Sequence, residues 1–204
     1  AVDTIMSLSG LKPDIIGFHG QTIFHDPSNK ISVQIGNGKL LSQLTNTKVI
    51  SNFRENDLLN GGQGAPIAPI YHKYIIESLK LELPCCLINI GGVSNLTYWD
   101  GYQLIGFDLG PGNGLMDIYC QKKLDIPFDK LGEIASKGFV YKKIIRKFKD
   151  LPYFKKKYPK SLDRLAFEEF LKEIEMLNLQ HNDALATLLE ISLYSIILGV
   201  NILP

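Results

Sequence analysis

Residues Gly106-Phe107-Asp108-Leu109-Gly110-Pro111-Gly112-Asn113 join a strand-like run to a helix-like one. The strand is predicted at 103–109, and the Gly-Pro-Gly-Asn turn prevents its continuation. Five apolar residues between Leu115 and Leu124 then follow helical spacing. A carboxylate between a buried strand and a helix start lies where ligands bind in open α/β sheets. The stretch therefore predicts Asp108 at a crevice, beside glycines and helix N-terminal amides that suit a phosphate. An Asp that only caps a tight turn is the alternative, and the spacing leaves both open.

A second glycine turn lies upstream, in the stretch Asn89-Ile90-Gly91-Gly92-Val93-Ser94-Asn95. It separates two strand-like runs, 85–90 and 95–99, which are close enough to form a hairpin. Paired glycines with exposed amides can cradle phosphate oxygens. The lysine of a Walker loop and the spacing of a dinucleotide fingerprint are both missing, so a plain turn is the alternative.

Strand-like and helix-like segments alternate in the first part of the chain. Strands are predicted at 14–18, 31–35 and 48–53, and helices at 39–45 and from 66 to about 83. Beyond Asp125 the pattern becomes helical, with helices predicted near 139–148, 165–176 and 181–201. This alternation predicts an α/β fold with a helical C-terminal half, divided into residues 1–64 and 65–204.

A third polar cluster follows the predicted strand at 48–53. Arg54 could bind a carboxylate through two hydrogen bonds, and Asp57 could orient it or accept a sugar hydroxyl. A glycine-dense loop at 60–66 follows, and His19 and Gln21 come after the first predicted strand. A surface ion pair between Arg54 and an acidic neighbour is the alternative.

Composition excludes several classes of protein. The chain has 204 residues and a net charge of +1, so no broad positive field exists to bind nucleic acid or an anionic bilayer. No apolar segment or signal peptide directs the chain into or across a membrane. Three cysteines without a framework spacing indicate a reducing compartment, the cytoplasm. Four histidines without a ligand spacing disfavour a metal site, which leaves a metal hydrolase as a minor alternative.

Six sequence blocks, in order, resemble the anhydro-N-acetylmuramic acid kinases. They are HGQTIFHDP from His19, VQIGNG from Val33, NFRENDLLNGGQGAPIAP from Asn52, NIGGVSNLT from Asn89, GFDLGPGNGLMD from Gly106 and ATLLEISLYSI from Ala186. PKSLDRLAF from Pro159 resembles a looser segment of the family. The resemblance implies the actin, sugar kinase and Hsp70-like ATPase fold, in which nucleotide and sugar meet between two ribonuclease-H-like lobes.

The resemblance also implies an activity. Enzymes of this family use water to open the 1,6-anhydro ring of 1,6-anhydro-N-acetylmuramic acid in peptidoglycan recycling, and they phosphorylate the freed oxygen at carbon 6 with ATP and Mg²⁺. The family aspartate matches Asp108, which implies the general base. Residues implied to bind phosphate or nucleotide are Asn89, Gly91, Gly92, Gly110 and Gly112. Residues implied to bind the sugar are His19, Gln21, Arg54, Asp57 and Gln63. A homodimer is expected by analogy.

The chain also departs from the family pattern. Asn52 and Asn56 stand where relatives usually carry Asp and often Arg. The family's opening phosphate loop and its closing nucleotide motif do not occur, so we expect the central portion of a kinase, weakly active or inactive alone. The alternative is a non-catalytic remnant that retains sugar binding or subunit association.

Overall fold

A computed structural model describes residues 2–162 and 167–204. The chain divides into two compact units, Ala1–Ile67 and Ala68–Pro204. Both units combine helices with small sheets, so the predicted α/β class is confirmed.

The described part of the first unit contains two two-stranded sheets and three α-helices. Its elements are α1 (Val2–Ser9), β1 (Ile15–Gly17), β2 (Gln21–Asp26), β3 (Ile31–Ile35), α2 (Gly38–Thr45), β4 (Lys48–Ile50) and α3 (Glu55–Leu59). β1 and β4 pair in parallel, and β2 and β3 form an antiparallel hairpin. The side chain of Asn37 caps α2 by accepting the N–H of Leu40 at 3.0 Å, which explains why that helix begins where it does.

Apolar side chains of the first unit lie largely at its surface. Leu58 is the one hydrophobic side chain that is fully buried among the described residues of this unit. Along β3 the apolar residues Ile31, Val33 and Ile35 are exposed, whereas Ser32 and Gln34 are half-buried and hydrogen-bonded. The described part of this unit therefore lacks a hydrophobic core of its own.

The second unit is built on a three-stranded antiparallel sheet. Its strands are β5 (Cys85–Ile90), β6 (Val93–Trp99) and β7 (Leu104–Pro111), in the order β5-β6-β7. Ser94 pairs with Gly110, and Asn95 pairs with Asp108. Leu109 is thus an extra residue on β7, which makes a β-bulge next to Asp108.

Helices form a large part of the second unit, and some of them pack against this sheet. They are α4 (Pro69–Ser78), α5 (Gly114–Leu124), α6 (Lys142–Lys149), α7 (Pro152–Lys155), α8 (Glu168–Met176) and α9 (His181–Val200). The main core joins α5, α6, α8 and α9, and includes Phe148, Phe170 and Leu188 with no exposed surface. α9 is long and apolar enough to cross a membrane, but half of its apolar window is buried inside the protein. Its apolar composition is therefore explained by the core.

Several predicted boundaries differ from the structure. The strand predicted at 103–109 runs on to Pro111, because Gly110 pairs with Ser94 and Pro111 with Val93. The helix predicted from 66 to about 83 spans only Pro69–Ser78. The helix predicted at 165–176 begins at Glu168, and residues 163–166 lie outside the described residues.

Candidate functional site

Asp108 lies inside β7, where it contacts a segment much later in the chain. Its backbone N–H donates to the carbonyl of Lys160 at 3.0 Å, and its carboxylate accepts the N–H of Leu162 at 2.8 Å. The hydroxyl of Tyr153 donates to the carbonyl of Asp108 at 2.5 Å. Three contacts thus hold both the backbone and the carboxylate of Asp108, which is only 6% exposed.

Lys160 and Tyr153 form a buried polar neighbourhood beside Asp108. The ammonium of Lys160 donates to the carbonyl of Tyr153 at 3.3 Å and lies 4.5 Å from the centroid of its ring. Burial lowers the pKa of Lys160, and the charge of Lys156 lowers it further. Burial also raises the pKa of Tyr153, with a smaller contribution from the charge of Asp108, so this hydroxyl remains a hydrogen-bond donor at neutral pH.

The turn between β5 and β6 is bonded to the start of α5. The carbonyl of Gly92 accepts the N–H groups of Gly112 at 2.9 Å and Gly114 at 3.2 Å, and the carbonyl of Gly91 accepts that of Asn113 at 2.8 Å. The N–H groups of Gly91 and Gly92 have no backbone acceptor among the described residues. The turn therefore uses its carbonyls to hold the helix and leaves its amides available to a ligand.

Close packing requires glycine at two positions, one near the end of β7 and one directly after it. A Cβ atom at Gly112 would lie 2.2 Å from the carbonyl oxygen of Gly91. A Cβ atom at Gly110 would lie 2.4 Å from the Cβ atom of Ser195 on α9. These glycines bring the turn, β7 and α9 together, which is a structural reason for their positions.

The sequence indicated Asn95 as a hydrogen-bonding side chain beside the glycine turn, but it did not predict that Asn95 lies opposite Asp108. The strand register pairs Asn89 with Asn95 and Asn95 with Asp108, so these three side chains share one face of the sheet. The signal present in the sequence was the block that contains both asparagines, but their alignment with Asp108 depends on strand pairing across β6.

In the first unit, the structure brings three of the predicted sugar-binding residues together. The guanidinium of Arg54 donates to Nε2 of His19 at 3.2 Å and to the carbonyl of Gly64 at 2.6 Å. The carboxylate of Asp57 accepts the N–H of the same Gly64 at 2.7 Å. The glycine-dense loop is thus held by the two charged residues of the cluster.

The other two predicted sugar-binding residues are Gln21 and Gln63. The exposed side-chain amide of Gln21 donates to the neighbouring carbonyl of Thr22 at 3.4 Å. Gln63 lies half-buried in the loop next to Gly64. This hydrogen bond of Gln21 therefore does not join it to the cluster of His19, Arg54 and Asp57.

A separate cavity of about 350 Å³ lies between β3 and α3. Its polar walls include Lys30, Gln34, Asn52 and Glu55. The amide of Asn52 donates to the carboxylate of Glu55 at 3.1 Å. Asn52 thus forms a local hydrogen bond that a carboxylate at this position could not donate.

Two cavities border α5 in the second unit, with volumes of about 310 and 510 Å³. Asp117 contributes to both. Burial raises the pKa of its carboxyl group. Asp108 lines neither of these cavities, nor the cavity of the first unit, as far as the described residues define them.

The four histidines lie in separate surroundings. His19 contacts Arg54, His25 contacts Ser32, His72 contacts Thr97 and His181 contacts Tyr119. No group of three or more His, Cys, Asp or Glu suitable for a metal ion occurs among residues 2–162 and 167–204. These residues therefore give no support to the metal hydrolase alternative.

The sequence matches the family model of anhydro-N-acetylmuramic acid kinase over residues 2–203. Similar proteins include the anhydro-N-acetylmuramic acid kinase of Rhodopseudomonas palustris, 44% identical over 171 residues, which are 82% of this chain and 47% of that protein. The anhydro-N-acetylmuramic acid kinase of Pelagibacter ubique is 47% identical over 137 residues, which are 66% of this chain and 36% of that protein. The anhydro-N-acetylmuramic acid kinase of Bradyrhizobium diazoefficiens is 42% identical over 171 residues, which are 82% of this chain and 47% of that protein. The chain spans about half the length of the curated relatives it matches, or less.

Proposed function

The chain belongs to the anhydro-N-acetylmuramic acid kinase family, a family of carbohydrate kinases, and we propose that it carries the central portion of such an enzyme. The proposed reaction uses ATP and water to convert 1,6-anhydro-N-acetylmuramic acid into the ring-opened 6-phosphate during peptidoglycan recycling. The observation that carries this proposal is the buried carboxylate of Asp108, held by Leu162 beside the glycine turn.

In the proposed reaction Asp108 acts as the general base. The oxygen of water attacks carbon 1 of the sugar, and the carboxylate of Asp108 takes a proton from that water. The bond between carbon 1 and the bridging oxygen breaks, and its electron pair stays on that oxygen, which remains attached to carbon 6. The freed oxygen then attacks the γ-phosphorus, and ADP leaves. The N–H of Leu162 fixes one carboxylate oxygen and thereby orients the base.

The turn at Gly91 and Gly92 is proposed to bind phosphate. Two adjacent backbone N–H groups without backbone acceptors form a small anion-binding site. The proposed phosphate site also includes Asn89, Gly110 and Gly112, which lie next to this turn. Mg²⁺ brought with ATP would neutralise phosphate charge.

His19, Arg54 and Asp57 are proposed to bind the sugar, with Gln21 and Gln63 nearby in sequence. The muramic acid carries a carboxylate, which a guanidinium binds well. Arg54 is already oriented by His19 and Gly64, so little side-chain entropy would be lost on binding. Asp57 would accept a hydroxyl proton of the sugar.

Further proposals follow from family membership. We propose that the units Ala1–Ile67 and Ala68–Pro204 belong to two ribonuclease-H-like lobes of the longer enzyme. We also propose a homodimer and a cytoplasmic location. The homodimer follows from the resemblance alone, and the cytoplasmic location follows from the resemblance and from the three free cysteines.

The experiment is a turnover assay with ATP, Mg²⁺ and 1,6-anhydro-N-acetylmuramic acid. The wild-type chain is compared with Asp108→Asn, which preserves the shape of the side chain but removes the base. We expect Asp108→Asn to lower the rate by about 10²- to 10⁴-fold. Asp125→Asn is the matched control, because Asp125 is exposed and has a positive φ that Asn also tolerates. Equal turnover by wild type and Asp108→Asn would refute the assignment of the base.

A non-catalytic remnant is the second candidate function. The observation that favours it is that Asp108 lines none of the three cavities described above. Saturable sugar binding without any release of ADP would identify the chain as this remnant.

A further inference from the structure

The face of the sheet that carries Asp108 presents a row of three polar side chains. Asn89 of β5, Asn95 of β6 and Asp108 of β7 lie opposite one another in the register. Side chains directly opposite on antiparallel strands have Cβ atoms about 4.5–5.5 Å apart. Asn95 is therefore the nearest cross-strand neighbour of Asp108.

Burial increases along this row from one side to the other. Asn89 is exposed, Asn95 is half-buried and Asp108 is 6% exposed. The row thus runs from an exposed side chain on β5 to a buried one on β7.

The amide oxygen of Asn95 is sealed from solvent and has no hydrogen-bond partner among the described residues. An unsatisfied buried acceptor costs about 1–3 kcal/mol, so a native protein normally supplies it with a donor. The neighbouring carboxylate of Asp108 is also an acceptor and cannot supply one. Two adjacent acceptors call for a small molecule with two O–H donors, which is water.

We infer that the side chains of Asn95 and Asp108 together bind one water molecule, which is the nucleophile of the reaction. The water donates one hydrogen bond to the amide oxygen of Asn95 and the other to the carboxylate of Asp108. Both of its hydrogens are then committed, so a lone pair is free to attack the sugar. As the bond to carbon 1 forms, the proton on the Asp108 side passes to that carboxylate. Asn95 is a positioning residue for the water in this scheme.

This inference rests on the proposed function for its chemistry, but the water itself can be observed without turnover. A high-resolution crystal structure of the chain is expected to show an ordered water within about 2.7–3.2 Å of both side chains. The substitution Asn95→Leu, similar in shape but without an acceptor, should remove it. Asn95→Asp should retain it. Thr97→Val is the control on the same strand and face, and it should retain the water although it loses the hydrogen bond to His72.

Kinetic measurements separate a positioning role from a structural one. Asn95→Leu is expected to lower kcat about a hundredfold with little change in the KM for ATP. Asn95→Asp places a second carboxylate beside Asp108, so the acidic limb of the pH–rate profile should move to higher pH. Thr97→Val should leave the profile unchanged. Thermal melts confirm that each variant is folded before its rate is compared.

The outcomes distinguish the inferred water site from the proposed function. A wild-type structure without this water, or a water that persists in Asn95→Leu, would overturn the inference. If the water depends on Asn95 but no variant, including wild type, converts the sugar, the water site stands and the proposed function fails.

Discussion

A substitution at the contact between the β5–β6 turn and α5 is predicted to destabilise the second unit. Gly112→Ala would place a Cβ atom 2.2 Å from the carbonyl oxygen of Gly91, so the two backbones must separate. Separation breaks two hydrogen bonds, from Gly112 to Gly92 and from Asn113 to Gly91. Two hydrogen bonds at about 1 kcal/mol each, with about 1 kcal/mol of overpacking, give a loss of about 3 kcal/mol. The folding equilibrium should fall roughly a hundredfold.

The assay is urea unfolding followed by the fluorescence of Trp99. This residue is the one tryptophan of the chain and is buried in β6, so it reports on the second unit. Gly92→Ala is the control, because the nearest atom to a Cβ at Gly92 is 4.0 Å away, and its unfolding free energy should stay within about 0.5 kcal/mol of wild type. If Gly112→Ala unfolds at the same urea concentration as wild type, the packing argument is wrong.

Three further predictions concern side chains near the proposed site. Tyr153→Phe removes the hydroxyl that donates to the carbonyl of Asp108 and should cost about 1–3 kcal/mol, measured by the same unfolding curve. Burial raises the pKa of Asp117 above its ordinary 3.8, so its contribution to stability is present at low pH and is lost as pH rises. Asp117→Asn should therefore melt higher than wild type at neutral pH by about 1–3 °C, a gain that vanishes toward pH 3. Asn52→Asp places a carboxylate against Glu55 and should lose about 0.5–1 kcal/mol at low salt, which Glu55→Gln should restore; an unchanged thermal melt would contradict this.

The sequence predicted the second unit better than the first. The strands β5 to β7 and the start of α5 are bounded by glycine turns, and such local signals are readable without tertiary information. β2, α3 and α1 were missed, because β2 begins directly after Gly20 in a polar stretch and α3 has only five residues. Short elements carry too few periods for a hydrophobic pattern to appear.

The surroundings of Asp108 were beyond local prediction. Tyr153 and Leu162 are 45 and 54 residues away from Asp108 in sequence. The pairing of Asn95 with Asp108 also depends on a bulge that adds Leu109 to β7. The sequence predicted Asp108 near the end of a strand, but it could not predict that the strand continues to Pro111 or that a distant segment holds Asp108.

A nuclear magnetic resonance titration of the chain with 1,6-anhydro-N-acetylmuramic acid tests whether the sugar binds beside Asp108. Saturable shifts of the backbone amide signals of Asn89, Asn95 and Leu162 are expected, since Leu162 donates to the carboxylate of Asp108 and the two asparagines lie in the same row of the sheet. Shifts confined to the residues around Asp117, with none at these three amides, would contradict this expectation.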